Sequence, residues 1–374
     1  MGNGRGASLP WREQQAGETP AHPDIARLSR RELAMLGAAG LAGAWSGRAL
    51  ADHDAGRFVA HPPPGFTPLT TPGKVVKVTK GNDIGSLMQP NQTWPKPDVA
   101  RLMFERAMTE LTGASSAAEA MKKLVHPADI VAIKVNGIAG QAMATNFELL
   151  LPIVQAVLDA GVPAPQVTVY EQYPNFLSGT RINLSGNRLP DGVSARFHSN
   201  SIATMPEIRV YENVPTKYVK HLTDATAVIN VSLIKDHSIC GYTGALKNIT
   251  HGSIINPHDH HAHHASPQIA VLFNHPIVRS RMRLHITDGF KLIYDQGPLD
   301  KNPSRRVFHG AVYATTDPVA MDVIGWHVVD EARKQNGMKP LAEVGRNPAY
   351  IHAAAELGLG TGDRNAIRLR EIAL

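Results

Sequence analysis

From residue 74 onward, short apolar runs alternate with stretches of helical spacing. Val75–Thr79 predicts a first strand. Pro97–Thr112 places Val99, Leu102, Met103, Ala107 and Leu111 at helical intervals before Gly113 stops the pattern. A short helix follows at Ala117–Leu124, a buried strand at Ile130–Val135, an amphipathic helix at Asn146–Ala160 closed by Gly161, and a strand at Gln166–Tyr170. Strand, helix and strand at this spacing predict a βαβ unit with parallel pairing.

Residues 172–222 are less regular, with a helix expected near Asn175–Leu184 and strands near Val193–Phe197 and Glu207–Tyr211. Ala225–Leu233 is a strongly apolar strand, and Arg283–Thr287 and Val307–Ala314 read as two more. Asp317-Pro318 predicts an N-cap and first turn for a helix running to about Lys334. A last helix is expected over Pro348–Leu357 and a terminal strand over Ile367–Leu374. The pattern predicts an α/β fold: a mainly parallel sheet flanked by helices, with irregular insertions. It organises as a Pro-rich lead-in over 52–74 and one domain over 75–374. No internal repeat and no Gly-x-Gly-x-x-Gly loop is present.

The first 51 residues fit no such pattern. Ser29-Arg30-Arg31-Glu32-Leu33 is followed by a Gly-interrupted apolar run to Trp45 and then by Ala49-Leu50-Ala51. Paired arginines, a weakly apolar stretch and an Ala-x-Ala site predict a twin-arginine signal cut after Ala51. A run of about 13 residues is too short for the roughly 20 that a membrane span needs. The expectation is a periplasmic or secreted protein that meets the twin-arginine export machinery and keeps no stable span after cleavage. That route carries folded proteins, and metal choice before export is one use of it, because affinity alone does not select a metal.

Composition narrows the chemistry. Apolar residues make up 43% of the chain, enough for a sizeable core. Cys240 is the one cysteine, so there is no intramolecular disulfide and no thiolate cluster for iron–sulfur ligation. The net charge of +6 is spread without a dense Lys/Arg run, which predicts no nucleic-acid partner.

Candidate chemistry concentrates after the Ala225–Leu233 strand. Lys235, Asp236 and His237 follow it directly, where parallel sheets place their ligands. Gly241-Tyr-Thr-Gly244 then leads into a helix whose N–H groups, with Thr243, Gly244 and Asn248, are expected to hold an anionic cofactor or substrate. Lys247 and His251 share a face of that helix. His258 to His264 holds five histidines and Asp259 in seven positions. Imidazole and carboxylate suit a divalent transition metal, with Fe, Zn, Cu and Ni not distinguished by ligand type. The expected ligands are His237, His258, His260 and Asp288, with Lys247, Lys235 and Lys134 as catalytic candidates. Each has a plainer reading: a solvated helix lysine, a hydrogen-bonded core histidine, a mobile polar tract, a turn-capping aspartate. Asp317 reads as an N-cap, and Asp322 faces either solvent or the site.

These residues resemble the family called domain of unknown function 362. The motifs are Lys134-Val135-Asn136, Lys235-Asp236-His237, Thr243 to Asn248 (TGALKN), Asp288-Gly289 and Asp317 to Asp322 (DPVAMD), spread over about 125–360. The resemblance implies the fold and the place of the site more than a reaction. Many members carry ferredoxin-type cysteine clusters, which this chain lacks. The pattern is also distantly similar to the nickel-pincer lactate racemase type, which likewise sets His and Lys around a sheet edge.

Three functions fit this reading. The first is an exported metalloenzyme, an oxidoreductase or hydrolase, acting on a small anionic substrate at the carboxyl edge of the sheet. The second is a non-catalytic periplasmic protein that binds metal or a small anion. The third is an interaction protein whose histidine tract is incidental. An enzyme predicts a closed site with a convergent lysine; a sequestering protein, a saturated or surface site; an incidental tract, imidazoles in water.

Overall fold

A computed structural model describes residues 58–374 except 82, 184–185, 202–206 and 211–212. The expected export signal over 1–51, with its Arg30-Arg31 pair and its cut after Ala51, lies outside the described residues. No helix among the described residues is long and apolar enough to cross a membrane.

The strands are β1 (Lys74–Thr79), β2 (Val131–Lys134), β3 (Val167–Glu171), β4 (Ser194–Phe197), β5 (Ile208–Arg209), β6 (Pro215–Thr216), β7 (Ala227–His237), β8 (Gly241–Thr243), β9 (Met282–Ile293), β10 (Arg306–Thr315) and β11 (Arg368–Ala373). The main sheet runs β11-β1-β10-β9-β7-β2-β3-β4, with β8 folded back on β7, while β5 and β6 pair separately. β4, β3, β2, β7 and β9 lie parallel to their neighbours in turn, and β11 lies parallel to β1. β10 is antiparallel to both β9 and β1, so the sheet is mixed but mostly parallel, as the βαβ pattern predicts.

Helices cover both faces, and that is why the central strands read as continuous apolar runs. Val131, Ile133, Ile229 and Val231 face a core built with the helices Pro97–Thr112 and Phe147–Asp159. Ala132 and Val228 face the opposite core, built with the helices Ala245–Thr250, Gln268–Asn274 and Pro318–Gln335. On that second face the register aligns Lys134 with Asn230, and Asn230 with His285. A polar row therefore crosses three central strands beneath the helix Ala245–Thr250.

Several elements differ from the sequence pattern. β7 continues four residues past its expected end at Leu233, to His237, and every residue in it is buried. The extension exists because β8 pairs Thr243 with Lys235 and Gly241 with His237. Gly241 turns that hairpin at φ 76°, and a Cβ there would lie 1.9 Å from the Arg346 carbonyl oxygen. β9 also runs on to Ile293, so Asp288 sits inside a strand, at a register shift against β7, and not at a strand end. The helix expected near 175–184 is Pro174–Gly179, and the strand expected near 207–211 is the two-residue β5. The histidine tract forms 3-10 turns over Pro257–Ala265, kinked by left-handed backbone at His263 and His264, and is neither a helix nor a strand.

Asp317 is the N-cap that the sequence predicts, and it also ties remote segments together. Its carboxylate accepts from the N–H of Ala320 at 2.9 Å, of Gly73 at 2.9 Å and of Thr361 at 3.0 Å. Asp317→Ala would leave three backbone donors without an acceptor and remove a cap. We expect it to cost about 3 kcal/mol in urea unfolding, since a lost cap costs about 1 kcal/mol and unmet buried donors about 1–3 kcal/mol each before relaxation. A loss below about 1 kcal/mol would refute this role.

Candidate functional site

The short helix Ala245–Thr250 is buried along its whole length. Its backbone ends and its buried amide therefore need protein partners. At its N-terminus, Ala245 N–H and Leu246 N–H donate to the two carboxylate oxygens of Asp322, at 2.6 and 3.1 Å. Tyr350 Oη donates to the same carboxylate at 3.3 Å. A Cβ on Gly244 would stand 2.2 Å from Asp322 Oδ1, so glycine is what lets the carboxylate reach the helix end. This corrects the expectation that Thr243 and Gly244 frame a nest for an external anion. The helix end is filled by the chain's own carboxylate, and Asp322 faces neither solvent nor the site. Burial pushes the Asp322 carboxyl up to about 7, against the pull of the two N–H groups and Tyr350.

Below the helix an amide relay crosses the polar row. Lys235 Nζ donates to Asn136 Oδ1 at 2.9 Å, and Asn136 Nδ2 to Asn248 Oδ1 at 3.0 Å. Asn248 Nδ2 donates to Asn230 Oδ1 at 2.7 Å and to the Val231 carbonyl at 3.2 Å. Asn230 Nδ2 reaches the Ala245 carbonyl at 2.8 Å and His285 Nδ1 at 3.1 Å. Asn248 has thus spent both amide hydrogens and its oxygen inside the protein, so it is not a ligand group, contrary to expectation. No sequence pattern marks this relay as a network; its one signal is Asn230, an amide among the apolar residues Val228, Ile229 and Val231.

The three lysines part company here. Lys134 Nζ lies 3.2 Å from Glu171 Oε1, donates to the Val135 carbonyl at 2.6 Å, and is packed against Gly252. Lys235 is fully buried in the relay, and burial brings its ammonium down to about 7. Both therefore hold structural partners.

Lys247 does not. It is 9% exposed, and among the described residues it has neither a hydrogen bond nor a carboxylate beside it; the nearest group that would favour its charged form is the Cys240 thiol. Burial lowers its ammonium below the usual lysine range. Around it stand His237, His251 and His261, each close enough to interact with its amine. His237 and His261 stack with ring centroids 5.5 Å apart, and His251 meets His261 edge-on at 4.8 Å. The buried Thr243 hydroxyl has only the Cys240 thiol beside it.

Hydrogen bonds fix the imidazole tautomers. His237 Nδ1 accepts from the N–H of Ile239 at 3.1 Å and of Cys240 at 3.3 Å, so the ring proton is on Nε2. His261 Nδ1 faces the Pro257 carbonyl at 2.8 Å and must donate to it, which leaves a free lone pair on Nε2. His251 Nε2 donates to the His260 carbonyl at 3.0 Å. Burial holds all three rings neutral, with His261 lowered to about 4 and His237 lowered further. The arrangement presents one donor, one base and one unpaired amine. His261 is only half-buried and His258 is exposed, so the cluster opens towards water through the histidine segment.

The ligand set expected for a metal is not assembled. Among the described residues no three His, Cys, Asp or Glu side chains form a group that could hold an ion. His237 offers an N–H, not a lone pair. Asp288 is occupied by the N–H and side-chain amide of Asn146 at 2.8 and 2.9 Å. His260 is fully buried, and His258 stands tilted 6.4 Å from His261. The tract residue that meets His237 is His261, which composition alone does not single out. Asp236 points to the other face of β7, where Gly297 N–H and Arg346 Nη1 hold its carboxylate at 2.6 and 2.8 Å.

Lys235 titrates near 7 in the folded protein and near 10.5 in the unfolded chain. Between those values the unfolded chain binds the extra proton, so stability rises with pH. We expect the difference in melting temperature between wild type and Lys235→Met to grow in favour of the wild type from pH 7 to pH 10. A constant difference across that range would show that Lys235 keeps its proton.

No curated protein matches the sequence. Among solved structures the chain is similar to the lactate racemase apoprotein from Thermoanaerobacterium thermosaccharolyticum, at 11% sequence identity and a TM-score of 0.37. The match covers 69% of this chain and 57% of that one, so the chain spans little more than half the length of that protein. The family model described as "Domain of unknown function (DUF362)" matches residues 131–327, more than half of the chain, and the protein belongs to that family.

Proposed function

We propose that the protein is an enzyme that binds a small carboxylate and moves a proton on it at the end of β7. One observation carries this reading. Lys247 is buried with no carboxylate partner among the described residues, beside an imidazole that can only donate and an imidazole whose lone pair is free. A buried amine without a counter-ion is costly when charged, so burial works against its protonated form in the empty protein. An anionic substrate supplies the missing charge, and Lys247 takes up a proton as it binds. His261 Nε2 then removes a proton from the substrate. His237 Nε2–H and the Lys247 ammonium stabilise the negative charge that develops on the substrate's oxygen, a role that a neutral imidazole can fill. The neighbouring residues do not make a ligand set for a divalent cation, so no step here runs through one.

The twin-arginine pattern of residues 29–51 supports a site of action outside the cytoplasm. Replacing Arg30 and Arg31 by Lys is expected to hold the protein in the cytoplasmic fraction of fractionated cells, and unchanged export would remove that part of the proposal.

Two measurements test the chemistry. Calorimetric titration with malonate, in buffers of different ionisation enthalpy above pH 7, is expected to show proton uptake on binding, and Lys247→Met should abolish both uptake and binding. Deuterium exchange at the malonate methylene, followed by NMR, should fall at least about 100-fold in His261→Phe while binding changes less than about threefold. Binding without proton uptake, or exchange indifferent to His261, would overturn the reading.

A further inference from the structure

A cavity lies on the same face of the sheet but away from the histidine cluster. It occupies about 360 Å³ between the helix Pro318–Gln335 and the strands β10, β1 and β11. That is within the range of small-molecule sites. Its floor is apolar, with Leu292, Ile324, Val328 and Leu369. None of its lining residues belongs to the cluster around Lys247.

The backbone is bent to equip this cleft. The register of β10 against β9 shifts between Phe308 and Ala311, and Gly310 takes φ 70° to make the bulge. Bulges re-aim side chains, and this one accompanies His309 in the cleft lining. Opposite it, Gly289 leaves room, since a Cβ there would lie 3.3 Å from the His309 ring. His309 Nε2 and Tyr313 Oη are joined at 2.7 Å. Burial lowers His309 to about 4, so at neutral pH the pair holds two polar hydrogens, one on the ring and one on the phenol. One is consumed in their mutual bond. The other is an unused donor in a partly apolar cleft.

Charge points the same way. Of the lining carboxylates, Glu371 is paired with Lys77 at 2.7 Å and Glu331 with Lys334 at 2.7 Å. Arg364, an exposed residue of the lining, has no ion-pair or hydrogen-bond partner among the described residues. The unmet charge of the cleft is therefore positive, and its unmet hydrogen-bond capacity is a donor. We propose that this cleft binds a small monocarboxylic acid with an apolar body, its carboxylate between Arg364 and the His309–Tyr313 pair and its tail along Leu292, Ile324, Val328 and Leu369.

Octanoate and octan-1-ol, titrated into the full chain at pH 7, are the probes. Octanoate is expected to bind at least tenfold more tightly than the alcohol. Arg364→Ala, an exposed substitution that leaves the core untouched, should remove that preference while leaving the alcohol unchanged. Val328→Trp, which fills the cleft, should weaken both at least tenfold. Lys247→Met should alter neither, which separates this site from the one near β7. Equal binding of the two probes, failure of either to bind, binding indifferent to Val328→Trp, or loss of octanoate binding in Lys247→Met would each overturn the proposal.

Discussion

The constraint on which the site depends is the complete burial of the six-residue helix Ala245–Thr250. A helix that short has almost as many unmet backbone groups as met ones, and none of them reaches water here. Asp322 answers the N-terminal donors, and the side chains of Asn136, Asn230 and Asn248 answer one another and the Ala245 carbonyl beneath. With the helix fixed at its end and along its underside, Lys247 is held among His237, His251 and His261. The unpaired amine is thus a by-product of satisfying everything around it. Losing one member of a buried polar network exposes its neighbours to the full cost of desolvation, so we regard Asn136, Asn230, Asn248 and Asp322 as positioning residues.

Much of the architecture was legible in the sequence because the strands are buried on both faces and the longer helices are amphipathic. The runs at Ile130–Val135 and Ala225–Leu233 and the spacing over Pro97–Thr112 each announced an element. What was not legible depended on pairing. Nothing local in Lys235-Asp236-His237 signals a strand, since that tripeptide is extended only because β8 folds back to pair with it. Asp288 likewise looked like a strand end because Gly289 follows, yet the strand continues through a register shift. In the histidine tract the residue that matters is chosen by kinks at His260, Ala262, His263 and His264, which no periodicity foretells.

The same distinction applies to charge. The sequence offers Lys134 and Lys235 at strand ends and Lys247 on a helix face as equal candidates. Their surroundings separate them into an ion pair with Glu171, a link in an amide relay, and a group left without a partner. The tautomers of His237 and His261 are likewise written by backbone atoms several residues away. Residue type locates a reactive region, while hydrogen-bond accounting assigns roles within it.

The pairing of β11 with β1 has a consequence for the order in which the molecule is made. Residues joined across these strands are as far as 294 positions apart, as for Lys77 and Glu371. While the polypeptide is being synthesised, β1 waits with Val75, Val76 and Val78 prepared for a neighbour that does not yet exist. Such long-range closure is slow, and an open strand edge is a template for association with other chains. A nascent molecule shorn of its final strand would therefore be a substrate for chaperones.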